Sequence, residues 1–122
     1  MANKFYYNGK LVRTSKTHVY THAVINDNGD VLRCSANEKL ARSFMTSEIS
    51  RAETTIRDCD RAIKAIQNGE KGYYSRDYGQ RNLWISFSTF HITIEKCESE
   101  KQACADYIRQ VQGYKIVELV QG

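Results

Sequence analysis

Basic, hydroxyl and imidazole side chains cluster between residues 13 and 22 of the chain. Residues 13–16 have the sequence RTSK, and residues 18–22, with the sequence HVYTH, follow almost at once. An arginine together with backbone N–H groups in a turn can bind phosphate oxygens, and a tyrosine ring nearby can stack on a base. We therefore predict ligand-binding roles for Arg13, Ser15 and Tyr20. An ordinary polar hairpin turn is the alternative.

Aromatic and cationic side chains alternate in a second segment, residues 69–84. The aromatic and cationic residues that precede the expected strand at residues 83–87 are Tyr73, Tyr74, Arg76, Tyr78 and Arg81. Aromatic faces beside guanidinium groups suit a ligand that carries a base and a phosphate. We predict stacking roles for Tyr74 and Trp84. The alternatives are tyrosines that cover a sheet and a tryptophan packed between sheet and helix.

Catalytic and metal-binding motifs are not recognisable in the chain. The histidines are residues 18, 22 and 91, and the first two lie in a strand context, where a spacing of four does not bring side chains together as it would on a helix. The sequence contains no nucleophile elbow, no phosphate-binding glycine loop and no C-x-x-C pair. We therefore predict no enzymatic activity, no metal site and no cofactor.

Turn signals and strand-forming residues predict an α+β fold that holds these clusters. Asn8-Gly9 is a strong hairpin signal, and residues 27–30 form a second turn. The expected strands are residues 4–7, 10–15, 20–26, 31–34, 83–87 and 115–120, with residues 69–82 as a loop. The order ββββ-α-β-α-β corresponds to an N-terminal antiparallel β-meander, two long helices and additional short strands. At 122 residues the chain is expected to form one domain, residues 1–122.

Two apolar stripes at alternating gaps of four and three residues predict the long helices. The first stripe consists of Met45, Ile49, Ala52, Ile56, Cys59, Ile63 and Ile66, and the second of Phe90, Ile94, Cys97, Lys101, Cys104, Ile108 and Val111. A narrow stripe contacts one partner, so the helices pack against each other or against another copy of the chain. Cysteines on these stripes are expected to be small buried apolar residues in a reducing compartment.

Capping residues set the expected ends of both helices. The first helix should begin after Ser35, with Ser35 as N-cap and Glu38 completing a capping box. A second cap at residue 43 or 46 would mark a bend, and Asn68-Gly69 would end the helix after about residue 67. The second helix should run from residue 88 or 89 to about residue 112. A start near Glu98 is the alternative, because residues 91–94 also alternate like a strand.

Arginines border the two stripes. Arg57 and Arg61 flank the first stripe, and Arg109 lies next to the second. If the stripes join two subunits, Arg57 and Arg109 would bind a phosphate enclosed between them; otherwise they form surface ion pairs of little energetic weight. Lys101 interrupts its stripe and would snorkel, mark an opening between the helices or meet an anion.

Charge and hydropathy narrow the class of partner and the compartment. The net charge is +4, and residues 1–37 carry five basic residues against two acidic ones. This modest excess suits a phosphate-bearing ligand and argues mildly against nucleic acid as a partner. The chain has no run of about 18 apolar residues that could span a membrane, and its first residues lack the apolar core of a signal peptide. A cytoplasmic location is expected.

The N-terminal sequence resembles small proteins of phages and mobile elements. The resemblance lies in FYYNGKLVRTS at residues 5–15 and YTHAVI at residues 20–25. With the size, the N-terminal sheet and the two long helices, the chain is similar to a phage anti-defence family that counters the bacterial Thoeris system. Members of that family are sponges, which bind a cyclic ADP-ribose-type signal tightly and do not degrade it. They form dimers and higher oligomers, and some take up cyclic di- or trinucleotides of the related CBASS defence.

The resemblance implies a viral protein that sequesters a cyclic ADP-ribose-type or cyclic oligonucleotide signal in the host cell cytoplasm. It implies a homo-oligomer, either a dimer or a higher oligomer such as a hexamer. The residues leave a second class open, namely a phage-encoded inhibitor that contacts a host defence enzyme directly, in the manner of an anti-CRISPR protein. A degrading phosphodiesterase and a nucleic-acid binder are weaker alternatives.

Overall fold

The computed structural model describes residues 2–75 and 83–122 and confirms an α+β fold. The elements are β1 (Asn3–Tyr7), β2 (Lys10–Ser15), β3 (His22–Ile25), β4 (Val31–Ser35), α1 (Glu38–Gln67), β5 (Gly72–Ser75), β6 (Leu83–Ser86), α2 (Ile94–Gln112), β7 (Lys115–Glu118) and β8 (Val120–Gln121). The chain divides into two compact units. The first unit comprises Met1–Glu48 with Gln110–Gly122, and the second comprises Ile49–Arg109. The single domain expected over residues 1–122 stays a prediction.

Two tight hairpins form the N-terminal part of the first unit. β1 and β2 are antiparallel and joined by Asn8 and Gly9, whose φ angles of 50° and 75° give the twist that a two-residue hairpin needs. β3 and β4 are antiparallel around a turn in which the Asn26 side-chain oxygen accepts the backbone N–H groups of Asn28 and Asp30. Both predicted turns are confirmed.

Each hairpin gains a third strand from the C-terminal end of the chain. β8 pairs with β1 and β7 pairs with β3, which gives sheets of order β2-β1-β8 and β4-β3-β7. The four N-terminal strands are antiparallel as predicted, and they belong to two sheets. The strand expected at residues 115–120 is divided at Leu119, whose N–H donates to the Thr21 carbonyl at 2.8 Å. Phe5, Val24 and Val111 are the largest fully buried side chains of this unit.

Helix α1 begins and is capped later than the sequence suggested. The side chain of Asn37 accepts the Leu40 N–H at 2.8 Å, so Asn37 is the N-cap. The predicted cap Ser35 ends β4, where its buried hydroxyl finds no hydrogen-bond partner among the described residues. The second cap expected at residue 43 or 46 is wrong, because both residues lie inside the continuous helix Glu38–Gln67.

The predicted end of α1 at Asn68-Gly69 is confirmed. Gly69 has a φ of 75°, and its N–H donates to the Ile66 carbonyl, while the Glu70 N–H donates to the Ala65 carbonyl. This pair of bonds is a Schellman motif, which satisfies carbonyls of the last helical turn. Glu70 therefore follows the helix directly in a fixed backbone conformation.

Helix α2 starts at Ile94, so both expected starts are wrong. His91 has a φ of 52°, which is incompatible with a right-handed helix. Thr93 then caps the helix by accepting the Lys96 N–H at 3.2 Å. Phe90 is 59% exposed and lies outside the buried part of the second stripe, although its spacing is in phase. The end at Gln112 is confirmed.

The two stripes meet within one chain in the second unit. Its core contains Cys59, Ala62 and Ile63 of α1 with Cys97 of α2, and Tyr73, Phe87, Ile92 and Ile94 pack against them. Lys101, the charged member of the second stripe, forms an ion pair with Asp60 of α1, with 2.5 Å between Nζ and Oδ1. Cys59 and Cys97 are buried, as predicted, whereas Cys104, the third cysteine of the stripes, is only partly buried. No helix in the described part of the chain is both long and apolar enough to cross a membrane.

Candidate functional site

An aromatic pair lies on a hairpin of the second unit that the sequence did not predict. β5 falls in the expected loop, and it pairs with β6 so that Tyr74 is opposite Trp84. The two ring centroids are 5.0 Å apart with an interplanar angle of 63°. Tyr74 is 61% exposed and Trp84 50%, so packing of Trp84 between sheet and helix is a wrong prediction. The pair offers exposed aromatic faces to a ligand.

Because Gly72 has no side chain, the Trp84 indole can pack against the backbone of β5. A Cβ atom on Gly72 would lie 2.3 Å from the Ile85 carbonyl oxygen and 2.7 Å from Cζ2 of Trp84. The backbone contact cannot be relieved by a side-chain rotation, so a larger residue would displace the strand. The indole therefore lies against a bare stretch of β5, as is typical where glycine occurs within a strand.

A buried carboxylate fixes the same hairpin to α1. Asp58 is 8% exposed, and its Oδ2 accepts hydrogen bonds from the Tyr73 hydroxyl at 2.8 Å and the Ser75 hydroxyl at 2.9 Å. Burial, followed by the bond to Asp58, raises the pKa of the Tyr73 hydroxyl well above its ordinary value. Because side chains alternate along a strand, anchoring Tyr73 and Ser75 directs Tyr74 to the opposite face.

A cleft of about 320 Å³ is lined by residues of this hairpin, of the C-terminal part of α1 and of the turn that follows it. Its lining residues are Arg61, Lys64, Ala65, Asn68, Glu70, Tyr73, Tyr74 and Trp84. Arg61 makes one long contact with Asp58, 3.5 Å between Nη1 and Oδ1. The side chains of Lys64 and Glu70 form no hydrogen bond or ion pair with any residue in the described ranges. Lys64, Arg61 with its one long contact, and two exposed rings can thus face a ligand.

The cleft has the chemical groups to bind a base and a phosphate. Aromatic side chains contribute about 1–3 kcal/mol per stacked base, and cations bind phosphate oxygens through charge-assisted hydrogen bonds. The volume lies at the lower end of the range of about 300–1,000 Å³ for ligand pockets. Among the described residues, no three His, Cys, Asp or Glu side chains are grouped to hold a metal ion.

The N-terminal cluster brings Arg13 and Tyr20 together in the first unit. The Arg13 guanidinium lies 5.4 Å from the Tyr20 ring centroid, and the His18 ring stacks on Tyr20 at 5.9 Å. The Ser15 hydroxyl accepts the N–H groups of Thr17 and His18. Those two N–H groups already have an acceptor, as in an ordinary polar turn, and the ligand-binding roles of Arg13, Ser15 and Tyr20 stay a prediction.

Arg57 and Arg109 are each bonded within their own helix. Arg57 donates to the Thr54 hydroxyl at 3.2 Å. Arg109 forms an ion pair with Asp106, and hydrogen bonds from Gln102 and then Arg109 hold the pKa of Asp106 below its ordinary value. Neither arginine is among the described residues that line the cleft. Their role as phosphate ligands stays a prediction.

A second cleft, of about 520 Å³, lies along α1 in the first unit. Its lining consists of Glu38, Lys39, Arg42, Ser43, Thr46 and Ser47. The charge of Arg42 is paired with Glu38 at 2.6 Å. The described lining contains no aromatic ring, so this cleft lacks the stacking surface that the cleft of the second unit offers.

Lys64, Asn68 and Glu70 are site residues that the sequence did not single out. Arg61, Lys64 and Asn68 follow a spacing of three and four, which places them on one helix face, and that signal was available. The position of Glu70 beside the cleft depends on the Schellman motif that ends α1. Of the cations and tyrosines predicted in the segment before Trp84, residues 76, 78 and 81 lie outside the described residues.

Comparison with known proteins gave no match for this chain. No protein-family model matches the chain, no curated protein matches it, and no solved structure matches it.

Proposed function

We propose that this protein is a non-enzymatic binding protein that sequesters a cyclic ADP-ribose-type or cyclic oligonucleotide signal in the host cytoplasm and so blocks bacterial anti-phage defence. The observation that carries the proposal is the cleft in which Tyr74 and Trp84 adjoin Arg61 and Lys64. Such a signal has bases to stack and phosphates to neutralise, and the cleft supplies groups for both.

Affinity and slow release are all that sequestration requires. The Asp58 hydrogen bonds hold β5, which carries Tyr74, in place before a ligand binds. A rigid site loses less conformational entropy on binding than a mobile one and binds more tightly for the same contacts. No nucleophile or general base is needed for this role.

Recovery of intact ligand tests the proposal. The protein is incubated with cyclic ADP-ribose or with cyclic di-AMP, passed through a desalting column and heat-denatured, and the supernatant is analysed by mass spectrometry. We expect one of the two compounds to be recovered intact. Trp84→Ala should reduce the recovered amount, whereas Lys71→Ala, which removes an exposed charge outside the described lining, should not. Recovery of neither compound, or of cleavage products, would contradict the proposal.

Exposed apolar side chains favour a second candidate, direct inhibition of a host defence enzyme. Leu83, Trp84 and Phe90 of the second unit are each at least half exposed. This candidate requires that the three side chains form one contiguous patch, which is typical of protein interfaces. Direct binding of a purified defence enzyme, with no small molecule retained by either protein, would support this candidate over sequestration.

A further inference from the structure

Charge is distributed unevenly along the cleft of the second unit. Arg61 and Lys64 lie in α1, whereas Asn68 and Glu70 follow its last turn. The rise of an α-helix separates residue 68 from residue 61 by about 10 Å and from residue 64 by about 6 Å. Cations therefore occupy one end of the cleft, and an amide and a carboxylate occupy the other.

The Glu70 end is electrostatically unfavourable for a phosphate. The C-terminal end of a helix carries partial negative charge from its carbonyl groups, and Glu70 adds a full one. Among the described residues, its carboxylate makes no ion pair. Such a carboxylate accepts hydrogen bonds from hydroxyl or N–H groups and repels an anion.

The cleft is small and open to solvent, so it contacts only part of a large ligand. A volume of about 320 Å³ is near the smallest that surveys find for ligand pockets, roughly 300 Å³. One nucleoside with its phosphates suits this space better than two nucleosides do. Tyr74 and Trp84 form one aromatic pair, which provides a stacking surface for one base.

We infer that the cleft selects ligands whose phosphates are grouped on one side of a single nucleoside. The phosphates lie at Arg61 and Lys64, the base stacks on Trp84 and Tyr74, and hydroxyl or N–H donors of the ligand face Glu70. Nucleoside diphosphates and cyclic ADP-ribose-type compounds fit this arrangement. A cyclic dinucleotide carries phosphates on opposite sides of its ring, and one of them would face Glu70. This inference rests on the proposed function and narrows it to one of its two ligand classes.

Calorimetric titration with ADP and with cyclic di-AMP, which share the same base, tests the inference. Wild-type protein should bind ADP at least about tenfold more tightly, because a like charge opposes the second phosphate. Glu70→Gln keeps the shape of the side chain and removes its charge. It should therefore tighten cyclic di-AMP binding and bring the ratio of the affinities for ADP and cyclic di-AMP closer to one. Glu53→Gln, which removes an exposed charge of α1 outside the described lining, should leave the ratio unchanged.

Two results would overturn the inference without affecting the proposed function. These are wild-type affinity for cyclic di-AMP equal to or greater than that for ADP, and an unchanged ratio in Glu70→Gln. If ADP, cyclic ADP-ribose and cyclic di-AMP all fail to bind wild-type protein, the proposed function falls together with the inference.

Discussion

Asp58 determines the placement of the candidate site, although it is not expected to touch a ligand. Its carboxylate accepts the hydroxyl groups of Tyr73 and Ser75, the two neighbours of Tyr74 in β5. A hydroxyl that is buried without an acceptor loses its hydrogen bond to water and gains none in return. The stability of the second unit and the direction of the Tyr74 ring therefore depend on one carboxylate.

Replacement of Asp58 should destabilise the protein much more than replacement of its exposed neighbour. We expect Asp58→Ala to lower the free energy of unfolding by about 3 kcal/mol, because hydrogen bonds to a charged acceptor contribute about 1.5–3 kcal/mol each. Asp60→Ala, which removes an ion pair with Lys101, should cost about 0–1 kcal/mol. Urea unfolding followed by circular dichroism measures both values. Equal losses for the two variants would show that Asp58 is not an anchor.

Buried thiols make the protein less stable in alkaline solution. Burial, with smaller contributions from Glu100 and neighbouring groups, raises the pKa of Cys59 to about 12, from 9.0 in the unfolded chain. Above pH 9 the unfolded state therefore loses a proton that the folded state keeps. The free energy of unfolding should fall as pH rises through this window, by at most about 1.4 kcal/mol per pH unit for one proton.

The contribution of Cys59 can be separated by substitution. Urea unfolding at pH 8, 9 and 10 should show a smaller alkaline loss of stability in Cys59→Ala than in wild-type protein. Cys97, whose pKa is also raised by burial, and Tyr73 remain in both proteins and act in the same direction. If the free energy of unfolding depends on pH identically in the two proteins, the pKa of Cys59 is not raised in the folded protein.

Local patterns predicted the helices and tight turns, and tertiary contacts decided what was missed. The stripe of α1 and the Asn8-Gly9 hairpin depend on residues close in sequence, so their signals are visible. β5 has four residues, begins with a glycine and pairs with β6, which no local pattern reveals. The start of α2 was misplaced because Phe90 is in phase with a helix that the φ of His91 excludes.

The residues of the candidate site also fall into two groups, those that a local sequence pattern predicts and those that only tertiary contacts place. Tyr74 and Trp84 could be predicted because aromatic residues beside cations are recognisable by type alone. Lys64 and Glu70 are ordinary exposed charges until the hairpin is placed against α1, and that placement depends on the Asp58 hydrogen bonds. The predicted cluster at Arg13 and Tyr20 was assembled, but its turn N–H groups bond to Ser15 instead of remaining available.

Gly72→Ala should displace the hairpin formed by β5 and β6, and with it the aromatic pair Tyr74 and Trp84. The added Cβ would meet the Ile85 carbonyl oxygen at 2.3 Å, so β5 and β6 must separate. Trp84 is the only tryptophan, and its fluorescence emission should shift to longer wavelength as the indole becomes more exposed. Gly113→Ala, whose nearest contact would be 3.3 Å from an Asp27 side-chain oxygen, serves as control. An unchanged emission maximum in Gly72→Ala would contradict the assigned packing.

At the scale of the whole molecule, the exposed apolar side chains favour self-association. Among the described residues, the large exposed apolar side chains are Leu11, Val19, Leu32, Leu40, Tyr74, Leu83, Trp84, Phe90 and Val120. They occur in both units, and a short chain buries only about two thirds of its unfolded surface when it folds alone. Contacts with further copies would remove some of this apolar area from water.

Native mass spectrometry tests the expected homo-oligomer. We expect masses at a multiple of 14.1 kDa, from a dimer up to a hexamer, at micromolar protein concentration. Phe90→Asp and Leu83→Asp place a charge on exposed apolar positions, and at least one of them should shift the distribution towards lower mass if its face lies in the interface. A single species at 14.1 kDa in wild-type protein would contradict the expectation.

The most direct measurement of the central claim is a fluorescence titration of Trp84 with cyclic ADP-ribose. We predict a saturable change in emission, with the ligand intact by mass spectrometry at the end of the titration. Lys64→Ala should weaken binding by about 10- to 100-fold, since it removes a charge-assisted bond to phosphate, and Lys71→Ala should bind as wild-type protein does. No change in emission, or equal affinity in Lys64→Ala and wild-type protein, would contradict the assignment of the cleft as the ligand site.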